Sequence, residues 1–296
     1  MLNRFRRLQT IPERLRFRLY PRIAAYRLAR STRRASQLLE DAAPLRVLID
    51  NSVIANAVTH ETKWITTGVV EWGGQDRVTG HMARVPVHSI KNGGYLYRQV
   101  VYLPGIAALA AKGLISLYQS AELRSERDRH PIGLYRGYSY FDFNIFGDRS
   151  FPSIDGDVDE IRMGWPPRTG VDDAQDQRRR LATADDPLFH SLHALLRQQN
   201  PNKADQDAWH IRTAEHHGLF CFLTMDQKLL KSCAQLRKKE PLKSLRTRIL
   251  SPEDFSRRFG ILPVPPRLLS YNDASWFVDL DQTMPGEKRR GRREYK

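Results

Sequence analysis

The sequence predicts an α/β protein in which a central parallel sheet is covered by helices on both faces. Short apolar runs, several followed closely by an acidic residue, alternate three or four times with stretches of helical spacing, which is typical of such a sheet. The chain has 296 residues, of which 41% are hydrophobic. This is enough for one large packed domain with additions.

The first strand and helix are predicted in PLRVLIDNSVIANAV, which begins at Pro44. A branched apolar run ends at Asp50, and Ser52 then offers a side chain suited to the N-cap of a helix. Farther on, Thr, Val and Trp alternate around the turn sequence WGGQDR. This pattern predicts an inserted antiparallel hairpin in which Trp64 and Trp72 serve packing rather than base stacking.

Further strand and helix pairs are predicted downstream. An alanine-rich helix ends at Gly113, and the strand LISLYQ leads into a helix that carries Glu122. A helix over residues 204–217 ends at a glycine and is followed by the strand LFCFLT and Asp226. The strand TRIL and a helix capped by Ser251 complete the alternation.

Three segments divide the chain on this interpretation. Residues 1–43 form a basic amphipathic arm, and residues 263–296 form a tail that is first Pro-rich and then basic. The α/β domain spans residues 44–262. It is interrupted by the hairpin near residues 63–90 and by a long insertion near residues 128–200, which we expect to be partly ordered.

Three interpretations of the N-terminal arm remain open. The first 36 residues contain eleven Arg and a single acid. The arm is a helix strapped to the domain, an arm that contacts RNA or a membrane, or an organellar presequence. The strapped helix would use an apolar stripe at helical spacing, formed by Leu15, Leu19, Ile23 and Tyr26.

The net charge of +15 indicates a surface that attracts polyanions such as RNA, DNA or anionic lipid. We expect RNA to be the partner, bound by the basic arm and tail. Two cysteines, Cys221 and Cys233, are too few for a disulfide framework and predict reduced thiols in a cytoplasmic protein. No apolar run approaches the ~18 residues that a membrane-spanning helix needs.

Four acidic residues are expected to meet at one edge of the sheet. Asp50 and Asp226 follow strands, Glu122 lies in a helix after a strand, and Asp207 begins a helix that packs on the sheet. Ligands collect at the carboxyl ends of parallel strands. Carboxylates brought together repel unless a cation neutralises them, and Mg²⁺ or Mn²⁺ prefers oxygen ligands. Each aspartate alone also fits a turn or a helix cap.

The segments VLIDNSVI, SAEL and DQDAWHIRTAEHHGLFCFLTMD together resemble the PIN-domain family. The resemblance covers about residues 45–58, 96–127 and 203–232, and the last segment is the most specific. It implies a three-layer α/β/α sandwich and a metal-dependent ribonuclease. The spacings between the acidic positions are longer here than in the compact family pattern, so the insertions must leave the sheet edge open.

Carried over residue by residue, the resemblance implies a metal-binding catalytic set formed by Asp50, Glu122, Asp207 and Asp226. It further implies that the hydroxyls of Ser52 and Thr224 hold metal-bound water. Three alternatives stay open within this set. Glu126 lies one helical turn after Glu122 and competes with it. Asp205 competes less well with Asp207, and His210 is expected to be a packed core histidine rather than a ligand.

The function expected from these features is hydrolysis of RNA phosphodiester bonds by a divalent-metal-dependent endoribonuclease. An RNA- or ribosome-binding adaptor that keeps the fold without a working metal site is the alternative. Structure-specific DNA cleavage would use the same chemistry on another substrate. An antitoxin-like protein partner and a homodimer are both compatible with the sequence.

Overall fold

The structure is a computed structural model that describes residues 13–88, 94–128, 142–147, 149, 151–156, 170–272 and 279–280. Its strands are β1 Leu45–Ile49, β2 Val58–Trp72, β3 Gln75–Pro86, β4 Ile115–Tyr118, β5 Phe143–Asn144, β6 Cys221–Leu223, β7 Arg248–Leu250 and β8 Asp279–Leu280. Its helices are α1 Glu13–Leu39, α2 Asn51–Asn56, α3 Tyr95–Val100, α4 Leu103–Ala111, α5 Ala121–Asp128, α6 Gly170–Ala182, α7 Pro187–Arg197, α8 Ala204–His216, α9 Gln227–Leu236 and α10 Pro252–Phe259, with a 3₁₀ helix at Pro266–Leu269.

A four-stranded parallel sheet organises the α/β part of the fold, as the sequence predicts. Its strand order is β4-β1-β6-β7, and β1 pairs in parallel with both of its neighbours. Each strand follows a helix or leads into one, so the chain returns to the same end of the sheet each time. The carboxyl ends of all four strands therefore lie along one edge.

Apolar residues are buried on both faces of this sheet. Successive residues of β1 point to opposite faces, and Val47 and Ile49 belong to one hydrophobic cluster whereas Leu48 belongs to a second. Helices α1, α3, α4 and α10 contribute to the first cluster. Helices α5 to α9 contribute to the second, through residues such as Leu123, Leu181, Leu192 and Ile211. The fold is thus mixed α/β with a buried parallel sheet.

A separate sheet has the order β5-β2-β3-β8 and contains the predicted hairpin. Strands β2 and β3 are antiparallel, and Trp72 pairs with Gln75 across a two-residue turn. That turn consists of Gly73 and Gly74, with φ angles of 64° and 74°, which suits a hairpin turn with both residues in left-handed geometry. The expectation that the tryptophans are packed is wrong, because Trp64 is 51% exposed and Trp72 is 73% exposed. The distal half of the hairpin extends away from both hydrophobic clusters.

Helix α1 is strapped to the domain, but by a different face from the predicted one. Leu15 and Tyr26 of the predicted stripe are exposed. The buried residues of α1 are mostly small, and they are Tyr20, Ala24, Ser31, Thr32, Ala35 and Leu39. Small side chains let the backbones approach closely, and a Cβ added to Gly105 of α4 would lie 3.3 Å from Oγ of Ser31. The exposed face of α1 keeps its arginines in solvent.

Part of the predicted insertion, residues 128–200, is described, and it is well packed where it is described. Phe189, Leu192 and Leu196 of α7 and Leu181 of α6 are buried in the second cluster. Asp186 caps α7 by accepting a hydrogen bond of 2.8 Å from the backbone N–H of Phe189. Residues 129–141 and 157–169 of this segment, and most of the tail after residue 272, lie outside the described residues. None of the helices in the described ranges is long and apolar enough to cross a membrane.

Candidate functional site at the carboxyl edge of the sheet

Three aspartates lie together where the parallel strands end. Asp50 directly follows β1, Asp226 follows β6 by three residues, and Asp207 lies in the first turn of α8. The charges of Asp226 and Asp50 both raise the pKa of the Asp207 carboxyl. We call these three residues, Asp50, Asp207 and Asp226, the acidic edge.

The Asp50 carboxylate is held by two hydroxyl groups. The Ser52 and Thr224 hydroxyls both donate to Oδ2 of Asp50, the Thr224 bond having a length of 2.6 Å. The Ser52 hydroxyl also accepts a hydrogen bond from the backbone N–H of Met225, and the Thr224 hydroxyl accepts one from that of Asp226, both at 3.0 Å. The hydroxyls that the resemblance associates with water therefore orient the Asp50 carboxylate in this structure.

The N-cap of α2 is Asp50, so the expectation that Ser52 caps this helix is wrong. Ser52 lies inside the first turn, and its hydroxyl is committed to Asp50 and Met225 rather than to the free N–H groups of the helix. The Asp50 side chain itself makes no capping hydrogen bond. The interpretation that Asp50 only accepts backbone amides at a turn is not supported, because the donors to its carboxylate among the described residues are the two hydroxyls.

Asp226 combines a structural role with a place in the acidic edge. Its Oδ1 accepts hydrogen bonds from the backbone N–H groups of Lys228 at 2.8 Å and Leu229 at 3.2 Å, which caps α9. Its Oδ2 lies 3.7 Å from Nζ of Lys203. Oδ1 of Asp226 thus caps α9, and Oδ2 lies near the ammonium group of the exposed Lys203 side chain.

Asp207 is the least compensated carboxylate of the acidic edge. It is 9% exposed, and among the described residues no group donates a hydrogen bond to its carboxylate. The pKa of Asp207 is raised to about 7, mainly because burial penalises the charged form and further because Asp226 and Asp50 are negative. His210 and Lys203 oppose this shift. Burial and the neighbouring negative charges therefore favour the protonated form of Asp207.

His210 supplies a positive charge beside the acidic edge. Its Nε2 lies 3.2 Å from Oε1 of Glu126, and the ring is buried next to the Phe222 ring. Burial acts against the charged ring, but Glu126, Asp50 and Asp207 outweigh it and raise the pKa of His210 to about 9. The ring is packed, as the sequence predicts, and it is also a charged partner of the carboxylates.

Glu122 lies near the acidic edge but is bound to other side chains. Arg180 donates from one terminal nitrogen to both Glu122 oxygens, at 2.9 and 3.1 Å, and Gln177 donates to Oε2 at 2.8 Å. Glu122 follows β4, the neighbour of β1, and Asn51 Nδ2 donates to the carbonyl of Leu123 at 2.7 Å. Glu122 therefore lies at the same edge of the sheet, but its carboxylate is hydrogen-bonded to two side chains of α6, those of Gln177 and Arg180.

Comparison with protein-family models, with curated proteins and with solved structures gave no match. The resemblance to the PIN-domain family rests on the three sequence motifs alone.

Asp205, the alternative to Asp207 in the sequence, forms an ion pair instead. Its Oδ2 lies 3.9 Å from Nε of Arg178, whose side chain is exposed.

The acidic edge fits a hard divalent cation in its chemistry. It offers carboxylate oxygens, it is partly buried, and Asp207 has no hydrogen-bond donor of its own among the described residues. In the described part of the chain no three His, Cys, Asp or Glu side chains are grouped closely enough to hold one ion. Among the described residues the three carboxylates are therefore not arranged as a ready ion site.

Sequence reasoning missed two groups of residues beside the acidic edge. Gln177 and Arg180 lie in a charged stretch without a recognisable motif, and only the fold brings them to Glu122. Tyr95 begins α3, and its hydroxyl is buried without a hydrogen-bond partner in the described residues. Burial, and then the charges of Asp254 and Asp226, raise the pKa of Tyr95 to about 12, so it stays protonated at neutral pH.

Proposed function

We propose that the protein is a divalent-metal-dependent endoribonuclease with the three-layer PIN-like arrangement that the sequence motifs imply. The observation that carries the proposal is the Asp207 carboxylate, which is buried, has no hydrogen-bond donor among the described residues, and has its pKa raised by burial and by the charges of Asp226 and Asp50. A buried carboxyl either takes up a proton or is paired with a cation, and strongly shifted pKa values cluster at functional sites. A cation at the acidic edge would supply that counter-ion.

Asp50, Asp207 and Asp226 are the residues that would hold Mg²⁺ or Mn²⁺. A bound divalent ion would supply an activated nucleophile and would neutralise charge on the phosphate. The chain's own contribution is to hold the carboxylates in place. Ser52 and Thr224 fix Asp50, the α9 amides fix Asp226, and burial keeps Asp207 out of bulk water.

The basic surface would bind the substrate. The net charge is +15, and Arg18, Arg22, Arg27 and Arg30 lie on the exposed face of α1. Contacts of arginine with phosphates position an RNA strand without reading its sequence. The acidic edge would then bind the metal ion, and the surrounding basic surface would bind the RNA strand next to it.

A non-catalytic RNA-binding adaptor is the second candidate. It is favoured by the absence of a ready three-ligand group among the described residues and by the engagement of Glu122 with Arg180. It would need the same basic surface for RNA but no working acidic edge.

The test is cleavage of a structured RNA pool by the purified full-length protein in Mn²⁺ and in EDTA. The key variant combines Asp50→Asn with Asp226→Asn, and its matched control combines Asp41→Asn with Asp185→Asn, two exposed aspartates. We expect cutting in Mn²⁺ by the wild type and the control, and none by the Asp50/Asp226 variant or in EDTA. RNA binding without cutting by any of the three proteins would replace the nuclease with the adaptor.

A further inference from the structure

Helix α6 is anchored to helices α5 and α8 by Gln177. The Gln177 amide donates to Glu122 at 2.8 Å and to Glu126 at 3.1 Å, and its oxygen accepts a bond of 2.9 Å from Gln206. Gln177 is only 1% exposed, and Gln206 is the residue before Asp207. The amide therefore ties α6 to α5 on one side and to the start of α8 on the other.

Arg180 lies one turn after Gln177 and has a partly free guanidinium. Its side chain is 47% exposed, whereas that of Glu122 is 7% exposed. The bonds to Glu122 use one terminal nitrogen, and among the described residues the Arg180 side chain has no other hydrogen-bond or ion-pair partner. An arginine has five N–H donors in a planar fork, so donors remain that can bind an anion.

The engagement of Glu122 also bears on its chemical role. Both of its oxygens accept charge-assisted or amide hydrogen bonds, three in all. A metal ion would have to displace Arg180 and Gln177 to gain Glu122 as a ligand. Asp207, in contrast, accepts no hydrogen bond from the described residues. Glu122 is thus already paired with an arginine, whereas the Asp207 carboxylate has no hydrogen-bond donor among the described residues.

We propose that Arg180 binds a phosphate of the RNA strand at the acidic edge and that Glu122 acts as its positioning residue. This inference rests on the proposed nuclease function and adds the group that holds the phosphodiester. The ligand is a phosphodiester group, whose oxygens match the planar set of N–H donors in the Arg180 guanidinium. Glu122, itself held by Gln177, fixes the direction of the Arg180 guanidinium, so that the side chain loses little further freedom when the RNA strand binds.

The first test compares Arg180→Gln with Arg179→Gln. Arg179 lies on the same helix, is 78% exposed and carries the same charge, so it is the matched control. Binding of a labelled single-stranded RNA is measured in EDTA over a range of salt concentrations. We expect Arg180→Gln to reduce the slope of log affinity against log salt by about 0.7, the value of one phosphate contact, and Arg179→Gln to leave it near wild type. Equal effects of the two variants would overturn the proposal.

The second test separates positioning from metal binding. Mn²⁺ binding by titration calorimetry is measured for Glu122→Gln, with Asp207→Asn as the comparison. If Glu122 acts through Arg180, the Glu122→Gln variant retains the Mn²⁺ affinity of the wild type. Glu122→Gln should then lower kcat/KM when Arg180 is present, and should have no further effect on kcat/KM when it is combined with Arg180→Gln. Loss of Mn²⁺ binding in Glu122→Gln, as in Asp207→Asn, would overturn the proposal and make Glu122 a ligand.

These outcomes are distinct from failure of the proposed function. A wild type that neither binds Mn²⁺ nor cuts RNA would end the nuclease proposal, whereas the RNA-binding comparison of Arg180→Gln with Arg179→Gln would still decide the phosphate contact. Arg180→Lys is the variant that guards against a folding defect. It keeps the charge but loses the planar fork, so we expect it to fold and to bind RNA more weakly than the wild type.

Discussion

The Thr224 hydroxyl donates a hydrogen bond of 2.6 Å to Oδ2 of Asp50 and joins the ends of two neighbouring parallel strands, β6 and β1. The same hydroxyl accepts a hydrogen bond from the backbone N–H of Asp226 at 3.0 Å. Because one oxygen both donates and accepts, its proton points to Asp50. The carboxylate orientation is thus set by backbone geometry on the adjacent strand.

Replacement of Thr224 by Val should destabilise the protein by about 1–3 kcal/mol, because a buried N–H and a carboxylate each lose a partner while the shape is kept. Thr213→Val is the control, since the Thr213 hydroxyl is also buried but has no hydrogen-bond partner in the described residues. That variant should be neutral or slightly stabilising. Denaturant unfolding measures both, and equal losses of stability would show that the Thr224 hydrogen bonds contribute little.

Asp207→Asn should remove a pH dependence of stability in metal-free buffer. The pKa of Asp207 is raised from 3.8 to about 7, so between these values the folded protein binds a proton that the unfolded chain does not. The wild type should therefore lose stability relative to the variant as pH rises from 4 to 7, by at most about 4 kcal/mol. The difference should level off about one unit above pH 7, where the Asp207 carboxyl is ionised in the folded protein as well.

The pH dependence is measured by unfolding of both proteins at pH 4, 5.5, 7 and 8. At pH 8, added Mn²⁺ should stabilise the wild type more than Asp207→Asn, because only the wild type has the full set of carboxylates. A difference between the two proteins that does not change with pH would mean that the Asp207 carboxyl titrates near its ordinary pKa.

The exposed arginines of α1 should contribute to RNA affinity through phosphate contacts alone. Replacing Arg18, Arg22 and Arg27 by Gln should weaken binding to all RNA sequences alike and lower the salt slope by up to about 0.7 for each phosphate that is no longer neutralised. A triple Gln variant of Lys231, Lys238 and Lys239, all exposed, is matched in charge change. Salt slopes that fall equally in both variants would show that α1 has no special place in RNA binding.

The parallel sheet was predictable because its strands follow from local patterns. Short, buried, branched runs such as that before Asp50 are typical of a strand covered on both faces, and parallel strands end at one edge. The resemblance to the PIN-domain family predicted Asp207 at the same edge. The burial and the raised pKa of Asp207 follow from packing around it, which no spacing in the sequence expresses.

The details that were not predictable depend on distant or small side chains. Glu122 and Arg180 are 58 positions apart, and their pairing depends on where α6 docks. The buried face of α1 is formed largely by Ala, Ser and Thr, which apolar periodicity does not detect. The alternation in the hairpin predicts the strand but does not say whether either face is covered, so the exposure of Trp64 was missed.

Helices α6 and α7 have a consequence for how this protein can be shortened. Leu181, Phe189 and Leu192 share a hydrophobic cluster with Leu48 and Phe222 of the central sheet. The segment that contains α6 and α7 looks like an insertion in the sequence, but its side chains form part of the hydrophobic cluster on one face of the sheet. Deleting this segment would expose the apolar face of the sheet that carries Leu48 and Phe222, and we expect the shortened protein to aggregate or fail to fold.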